Sequence, residues 1–303
     1  MEKFLFILIL LFIGFMLKGI KSMPVHSAKM LNLFAIYVSL PALVLLKAPD
    51  LAFSIDWLVL AIVPWVLLIV SAGLILILAK NFQWSREITG ALLLVVPLGN
   101  TSFLGIPMIQ VFYGEAAVPY ALMYDQLGTF LALAIYGSIV LALYAQNQKR
   151  ITTKAVLYKI IIFPPFISLI IALMLNKFQL PEVYFDLLRP LAATLVPAVM
   201  IAVGLQLNLK VEANKIKPFV IGLSIKMLVT PALTLIGFFL LGLKGEIYNV
   251  AVFEAAMPPM ISAGALAIIA NLSPRFTAAM LAYGILLAFL TLPFWFYVLN
   301  LAL

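Results

Sequence analysis

The sequence predicts an all-α integral membrane protein of ten transmembrane helices, built as an inverted repeat of five plus five. Three observations carry this reading. Hydrophobic residues make up 66% of the 303 positions and charged ones only 10%, with a mean hydropathy of +1.21. A soluble fold of this length cannot cover so much apolar surface with so few polar groups. The apolar residues fall into runs of about 20, the length that crosses a ~30 Å hydrocarbon core at 1.5 Å per residue. Basic residues gather in alternate connections between those runs, as the positive-inside rule requires.

Taken in order, the predicted spans are 4–20, 29–47, 57–79, 87–113, 115–144, 155–175, 187–208, 217–242, 247–270 and 275–300. The first resembles a signal-peptide core in length, but Lys18, Lys21 and Lys29 follow it instead of a small-x-small cleavage site, so it reads as a retained span. Thirteen lysines and arginines, from Lys18 through Lys80, Arg86, Lys149 and Arg150 to Arg275, lie on one side; Lys3, Lys47, Lys177, Arg189 and Lys244 lie on the other. The expected location is therefore the cell (inner) membrane, with both termini outside the cytoplasm. The net charge of +8 is spread over short loops that face lipid headgroups, and nucleic acid is not an expected partner.

Cysteine is absent and His26 is the only histidine, which removes the usual ligands of zinc, haem and iron-sulfur centres. His26 itself sits beside Pro24 in a basic loop and reads as solvated. The chain divides near 148–150. Leu40-Pro41-Ala42 in span 2 is echoed by Val196-Pro197-Ala198 in span 7, and Pro97 in span 4 by Pro258 and Pro259 in span 9. Five spans per half is an odd number, so the halves, 1–150 and 151–303, cross in opposite senses.

Span 4 concentrates helix breakers and polar groups: Pro97, Gly99, Gly105 and Pro107 surround Asn100, Thr101 and Ser102. Proline removes an amide donor and glycine weakens a helix interior by ~1 kcal/mol, so a break is expected there. Span 9 carries a second interruption, from Glu254 through Met257, Pro258, Pro259, Ile261 and Ser262 to Gly264. Open backbone inside a bilayer is tolerated where it lines a protein cavity or water. Amides freed at half-helix N-termini suit an anion; the alternative is a pair of kinks that only shape packing. Met257 and Met260 either line the pocket or face lipid.

Ionisable groups inside spans call for partners. Asp125 lies about ten residues into span 5, or ~15 Å deep, and pairs with Lys226, with a span-4 hydroxyl, or with a transported ion. Glu254 stands four residues before Pro258, where it either binds a sodium ion or proton or hydrogen-bonds freed backbone. Lys226, some nine residues into span 8, reads as structural, and Glu115 and Arg189 lie at span ends within reach of headgroups. An intramembrane aspartyl protease needs a second aspartate beside Asp125, and Asp50, Asp56 and Asp186 are all expected in loops. A cation/proton antiporter built on Asp125 and Glu254 is the alternative function; the neutral donors Asn100, Thr101 and Ser102 favour a carboxylate.

The run Gly99-Asn100-Thr101-Ser102-Phe103-Leu104-Gly105-Ile106-Pro107-Met108, followed by Tyr113-Gly114, resembles the span-4 signature of the auxin efflux carrier family, which includes plant auxin exporters and bacterial dicarboxylate carriers. Asn32-Leu33-Phe34 with Pro41, and Ala255-Ala256-Met257-Pro258, fit the same pattern. The resemblance implies a fold related to the sodium/bile-acid symporters, with spans 4 and 9 broken and crossing at mid-membrane. It also implies a scaffold of spans 1, 2, 6 and 7 that forms homodimers, and an elevator-like transport domain of spans 3–5 and 8–10. The substrate would be a small organic anion, a mono- or dicarboxylate with auxin-like acids among them, and no cofactor is expected beyond possible sodium or proton coupling. By resemblance Asn100 contacts the substrate carboxylate, with Thr101, Ser102, Pro259, Ile261 and Ser262 around it. The symporters place a sodium-binding glutamate where Glu254 stands, and the plant carriers a glutamine. Only 146–153 separates the halves here, so the long regulatory loop of many plant members is missing.

Overall fold

The computed structural model describes residues 2–20, 22–24, 26–47, 57–145, 153–175, 180–207, 212 and 215–302. Asp50 and Asp56, the 146–152 junction between the halves, and Lys21, Lys149, Arg150, Lys177 and Lys210 lie outside the described residues. The described residues form thirteen helical segments: α1 (Glu2–Leu17), α2 (Ser27–Lys47), α3 (Trp57–Asn81), α4 (Arg86–Val95), α5 (Thr101–Phe112), α6 (Glu115–Tyr144) and α7 (Thr153–Ile161) come first. They continue as α8 (Pro164–Leu175), α9 (Glu182–Gln206), α10 (Ile216–Leu240), α11 (Glu246–Ala255), α12 (Ile261–Ile269) and α13 (Pro274–Ala302). Six of them are long and apolar enough to cross a membrane, and α1, α5 and α8 are shorter apolar helices. This is an all-helical, multi-pass membrane protein.

Two expectations need correction. The span expected without interruption over 155–175 is two helices, because the residue before proline disfavours helical dihedrals and Phe163 precedes Pro164-Pro165. Asp186, expected in a loop, lies on the second turn of α9, exposed and 2.9 Å from Arg189. Carboxylates near a helix N-terminus interact favourably with its dipole, so α9 begins earlier than apolar content alone indicates.

Helices α1, α2, α8 and α9 pack on one another, while α3, α4, α6 and α10–α13 form a second packed set. Between α1 and α9 the backbones touch: a methyl on Gly14 would collide with the Ile201 carbonyl, and one on Gly204 with the Leu11 carbonyl. With lipid on the outside, close backbone approach through small residues is what drives helix association. The far end of α5 is fixed by aromatic packing, with the Phe112 ring 5.3 Å from Phe253 and 5.0 Å from Phe296. Large apolar side chains such as Ile69, Leu240 and Ile269 remain exposed on the helix surfaces, as a lipid-facing perimeter requires.

Two wide, π-type turns hold charged residues. One covers Tyr124–Phe130 of α6 and contains Asp125; the other covers Ile225–Val229 of α10 and contains Lys226. Each receives an indole: Trp65 donates to the Leu127 carbonyl at 3.1 Å and Trp295 to the Met227 carbonyl at 2.9 Å. Wide turns leave carbonyls without their normal donors, and these tryptophans supply them.

Candidate functional site

The helix α4 stops at Val95, and α5 resumes at Thr101; α11 stops at Ala255, and α12 resumes at Ile261. Pro97, Gly99, Pro258 and Pro259 fall in these two interruptions. The interruptions bind each other: the Asn100 amide donates to the Pro258 carbonyl at 2.8 Å, and the Met260 amide to the Leu98 carbonyl at 2.9 Å. Gly99 and Pro259 thereby form an isolated antiparallel bridge. Unpaired backbone in hydrocarbon costs several kcal/mol per group, and this exchange satisfies two donors and two acceptors without water.

Gly105 and Pro107, expected as breaks, are helical. The Asn100 carbonyl accepts from both Leu104 at 3.2 Å and Gly105 at 3.0 Å, so α5 begins with a wide turn, a widening that accommodates the ring of a following proline. Gly105 is needed for space: a methyl there would strike the Glu254 carboxylate.

Asn100 is 2% exposed, and its Nδ2 has no hydrogen-bond partner among the described residues. It precedes the first amides of α5, which have no intrahelical acceptor by construction. A buried carboxamide donor without a partner is unusual. Thr101 and Ser102 are engaged elsewhere: their hydroxyls donate to Asp125 Oδ1 at 2.6 and 2.5 Å, and Gln126 donates to Oδ2 at 2.8 Å. Of the partners open to Asp125 from sequence, the structure selects the span-4 hydroxyls over Lys226. Asp125 thus ties α6 to the start of α5.

On the α12 side, Pro259 and Ile261 are buried and Ser262 is half-buried, matching Ser102. Met257 and Met260 are buried rather than lipid-facing. The two helix starts differ in chemistry: Asn100-Thr101-Ser102 against Met260-Ile261-Ser262.

Glu254 is fully buried, and neither carboxylate oxygen has a hydrogen-bond partner among the described residues. It faces a cavity of about 10 Å³ shared with Thr101, Thr129, Lys226 and Thr230, room for roughly one water. Lys226, read from sequence as structural, reaches the Ala255 carbonyl at 3.4 Å, beside Thr230 Oγ1 at 3.2 Å. Sequence reasoning left out Thr230, Thr129 and Gln126; the one signal was that Thr230 follows Lys226 by four residues and so shares its helix face. Among the described residues no three acidic or histidine side chains converge as a metal site.

A larger cavity of about 750 Å³ lies between α1, α2, α9 and the far half of α5, reaching Pro107 and Gln110. At its rim Lys47 of α2 and Glu115 of α6 form a 2.7 Å ion pair. His26 is exposed in a turn, as expected.

Apolar helices around a buried polar site, with two backbone interruptions paired inside the protein, define a multi-pass membrane protein of the transporter class. The chain belongs to the membrane transport protein family, whose model matches residues 1–296, the auxin efflux carrier family anticipated from the span-4 signature. It is 25% identical over 297 residues to an uncharacterized transporter of Methanothermobacter thermautotrophicus, covering 97% of this chain and 96% of that protein. An uncharacterized transporter of Methanocaldococcus jannaschii is 27% identical over 308 residues, covering 99% and 98%.

Proposed function

We propose that this transporter carries a small organic anion, a mono- or dicarboxylate, across the cell membrane by an elevator-type alternating-access motion. The single observation behind this reading is the orphan Nδ2 of Asn100, buried at the start of α5. A donor kept without a partner at a helix N-terminus suits a carboxylate, which accepts from the carboxamide and from the first amides of the helix together. Thr101 and Ser102 contribute their amides rather than their hydroxyls, and Pro259, Ile261 and Ser262 shape the opposite wall.

In this reading α4 with α5 and α11 with α12 are spans 4 and 9, crossing at their paired interruptions, α7 with α8 is span 6, and the total is ten in an inverted five-plus-five repeat. Spans 1, 2, 6 and 7 form the scaffold and carry a homodimer contact; the remaining spans move. The separate packing of α1, α2, α8 and α9 supports that division. The 750 Å³ cavity, whose walls come from both sets, is then a vestibule on the outer face. A cation/proton antiporter would need Asp125 free to exchange its ion, whereas its three donors already satisfy it.

Reconstitution in liposomes tests the reading. Uptake of a labelled carboxylate, competed by other small organic acids, is the expected result. Cation flux with no anion flux across a mono- and dicarboxylate panel would overturn it in favour of the antiporter.

A further inference from the structure

A carboxylate beside carbonyls stripped of their helix donors is the usual make-up of a site for a hard cation, which takes oxygen ligands. Here that site meets a lysine. The Ala255 carbonyl would normally accept from the residue four positions on, which is Pro259 and has no amide hydrogen. In its place the Lys226 ammonium donates at 3.4 Å, and Thr230 Oγ1, whose one proton goes mainly to the Lys226 carbonyl at 2.7 Å, lies 3.2 Å away. The ammonium also lies against the other interruption, 3.0 Å from where a Cβ on Gly99 would stand. It lines the same one-water cavity as Glu254, and it is only 4% exposed. Asp125 faces this region from α6, but it is held by three donors of its own. Glu254, with no hydrogen-bond partner among the described residues, has Lys226 as the cationic group sharing its cavity.

We infer that Lys226 is a tethered counter-cation: its ammonium fills the cation position between the two interruptions and balances Glu254, so that no sodium ion is bound there. The residues present therefore do not fit sodium. A second positive charge in a cavity of this size would be placed against the ammonium at low dielectric, where like charges repel strongly. Removing the lysine should turn the same oxygens, from Glu254, Ala255, Thr101 and Thr230, into an alkali-cation site. The inference concerns the crossing site of the proposed carrier and rests on that reading for its place in a transport cycle. Its test uses no organic anion, so the two can fail separately.

The measurement is thermal unfolding of the purified full chain in sodium, potassium or choline chloride at equal ionic strength. The wild type should melt at the same temperature in all three. Lys226→Ala should melt lower in choline and recover by several degrees, saturably, in sodium. The double variant Lys226→Ala/Glu254→Gln should be insensitive to the cation, because no charge is left to balance. A saturable, sodium-specific rise in the wild type would overturn the inference, as would a folded Lys226→Ala that ignores alkali cations. If Lys226→Ala fails to fold in every salt, the double variant decides. Its folding would identify the unbalanced carboxylate as the fault and support the inference; equal failure would overturn it.

Discussion

Replacing Asn100 with alanine should separate stability from affinity, and the structure supplies the magnitude of both. The Nδ2 of Asn100 has no hydrogen-bond partner among the described residues although the residue is 2% exposed. Deleting that nitrogen therefore breaks no donor bond among the described residues, and it removes a desolvated polar atom whose burial is itself unfavourable. The melting temperature of the anion-free protein should stay constant or rise. With a carboxylate bound, the same nitrogen donates to a charged acceptor, an interaction whose loss weakens binding by about 1 to 3 kcal/mol, or roughly 5- to 150-fold in Kd. The assay pairs unfolding curves without ligand against a carboxylate titration of the same preparation, followed by initial uptake rates in liposomes. An unchanged Kd in a folded Asn100→Ala would refute the ligand assignment.

Asp125→Ala strands the donors of Thr101, Ser102 and Gln126, and at ~1–3 kcal/mol for each buried donor it should destabilise by about 3 kcal/mol or more. Asp125→Asn should lose much less, because hydroxyls can rotate to accept from the new amide; equal losses in urea or thermal unfolding would contradict this. Gly105→Ala should destabilise by ~1–3 kcal/mol through overpacking against the Glu254 carboxylate. Adding Glu254→Ala should relieve that strain, so additive effects in the double-mutant cycle would refute the contact. Lys47 and Glu115 are 23% and 47% exposed in their ion pair, so breaking it should change stability by no more than about 1 kcal/mol. The chain has no cysteine, so Lys47→Cys/Glu115→Cys can be joined selectively by a bismaleimide. Transport should stop when α2 and α6 are tied, and continued turnover would exclude large sliding between the two packed sets.

Asn100 and the two interruptions were legible because proline and glycine act locally: Pro97, Pro258 and Pro259 remove donors wherever the chain goes. Asp125 and Glu254 were legible as buried groups because depth follows from helical rise. Their partners were not. Nothing along the chain distinguishes Lys226 from Thr101 as the partner of Asp125, since residues 24 and 101 positions apart meet only through packing. Gly105 shows the same limit from the other side. Its composition reads as a breaker, yet it remains helical and serves to clear space for a carboxylate 149 positions away. The close approach of Gly14 to Gly204 was likewise invisible, two glycines among many in apolar runs.

Composition and run length by themselves determined that this chain lives in a membrane, because burying apolar surface is additive and needs no knowledge of neighbours. The positions of the prolines likewise determined where a backbone donor is missing, because a missing amide is a property of a single residue. Which group repairs each failure was decided only by the tertiary structure. The Pro258 carbonyl takes the Asn100 amide, and the carbonyl that Pro259 leaves without its donor, that of Ala255, receives the Lys226 ammonium. A hydrogen bond requires its partners within about 3 Å and aligned, and such positions are set by how distant helices pack and not by the order in which their residues are joined.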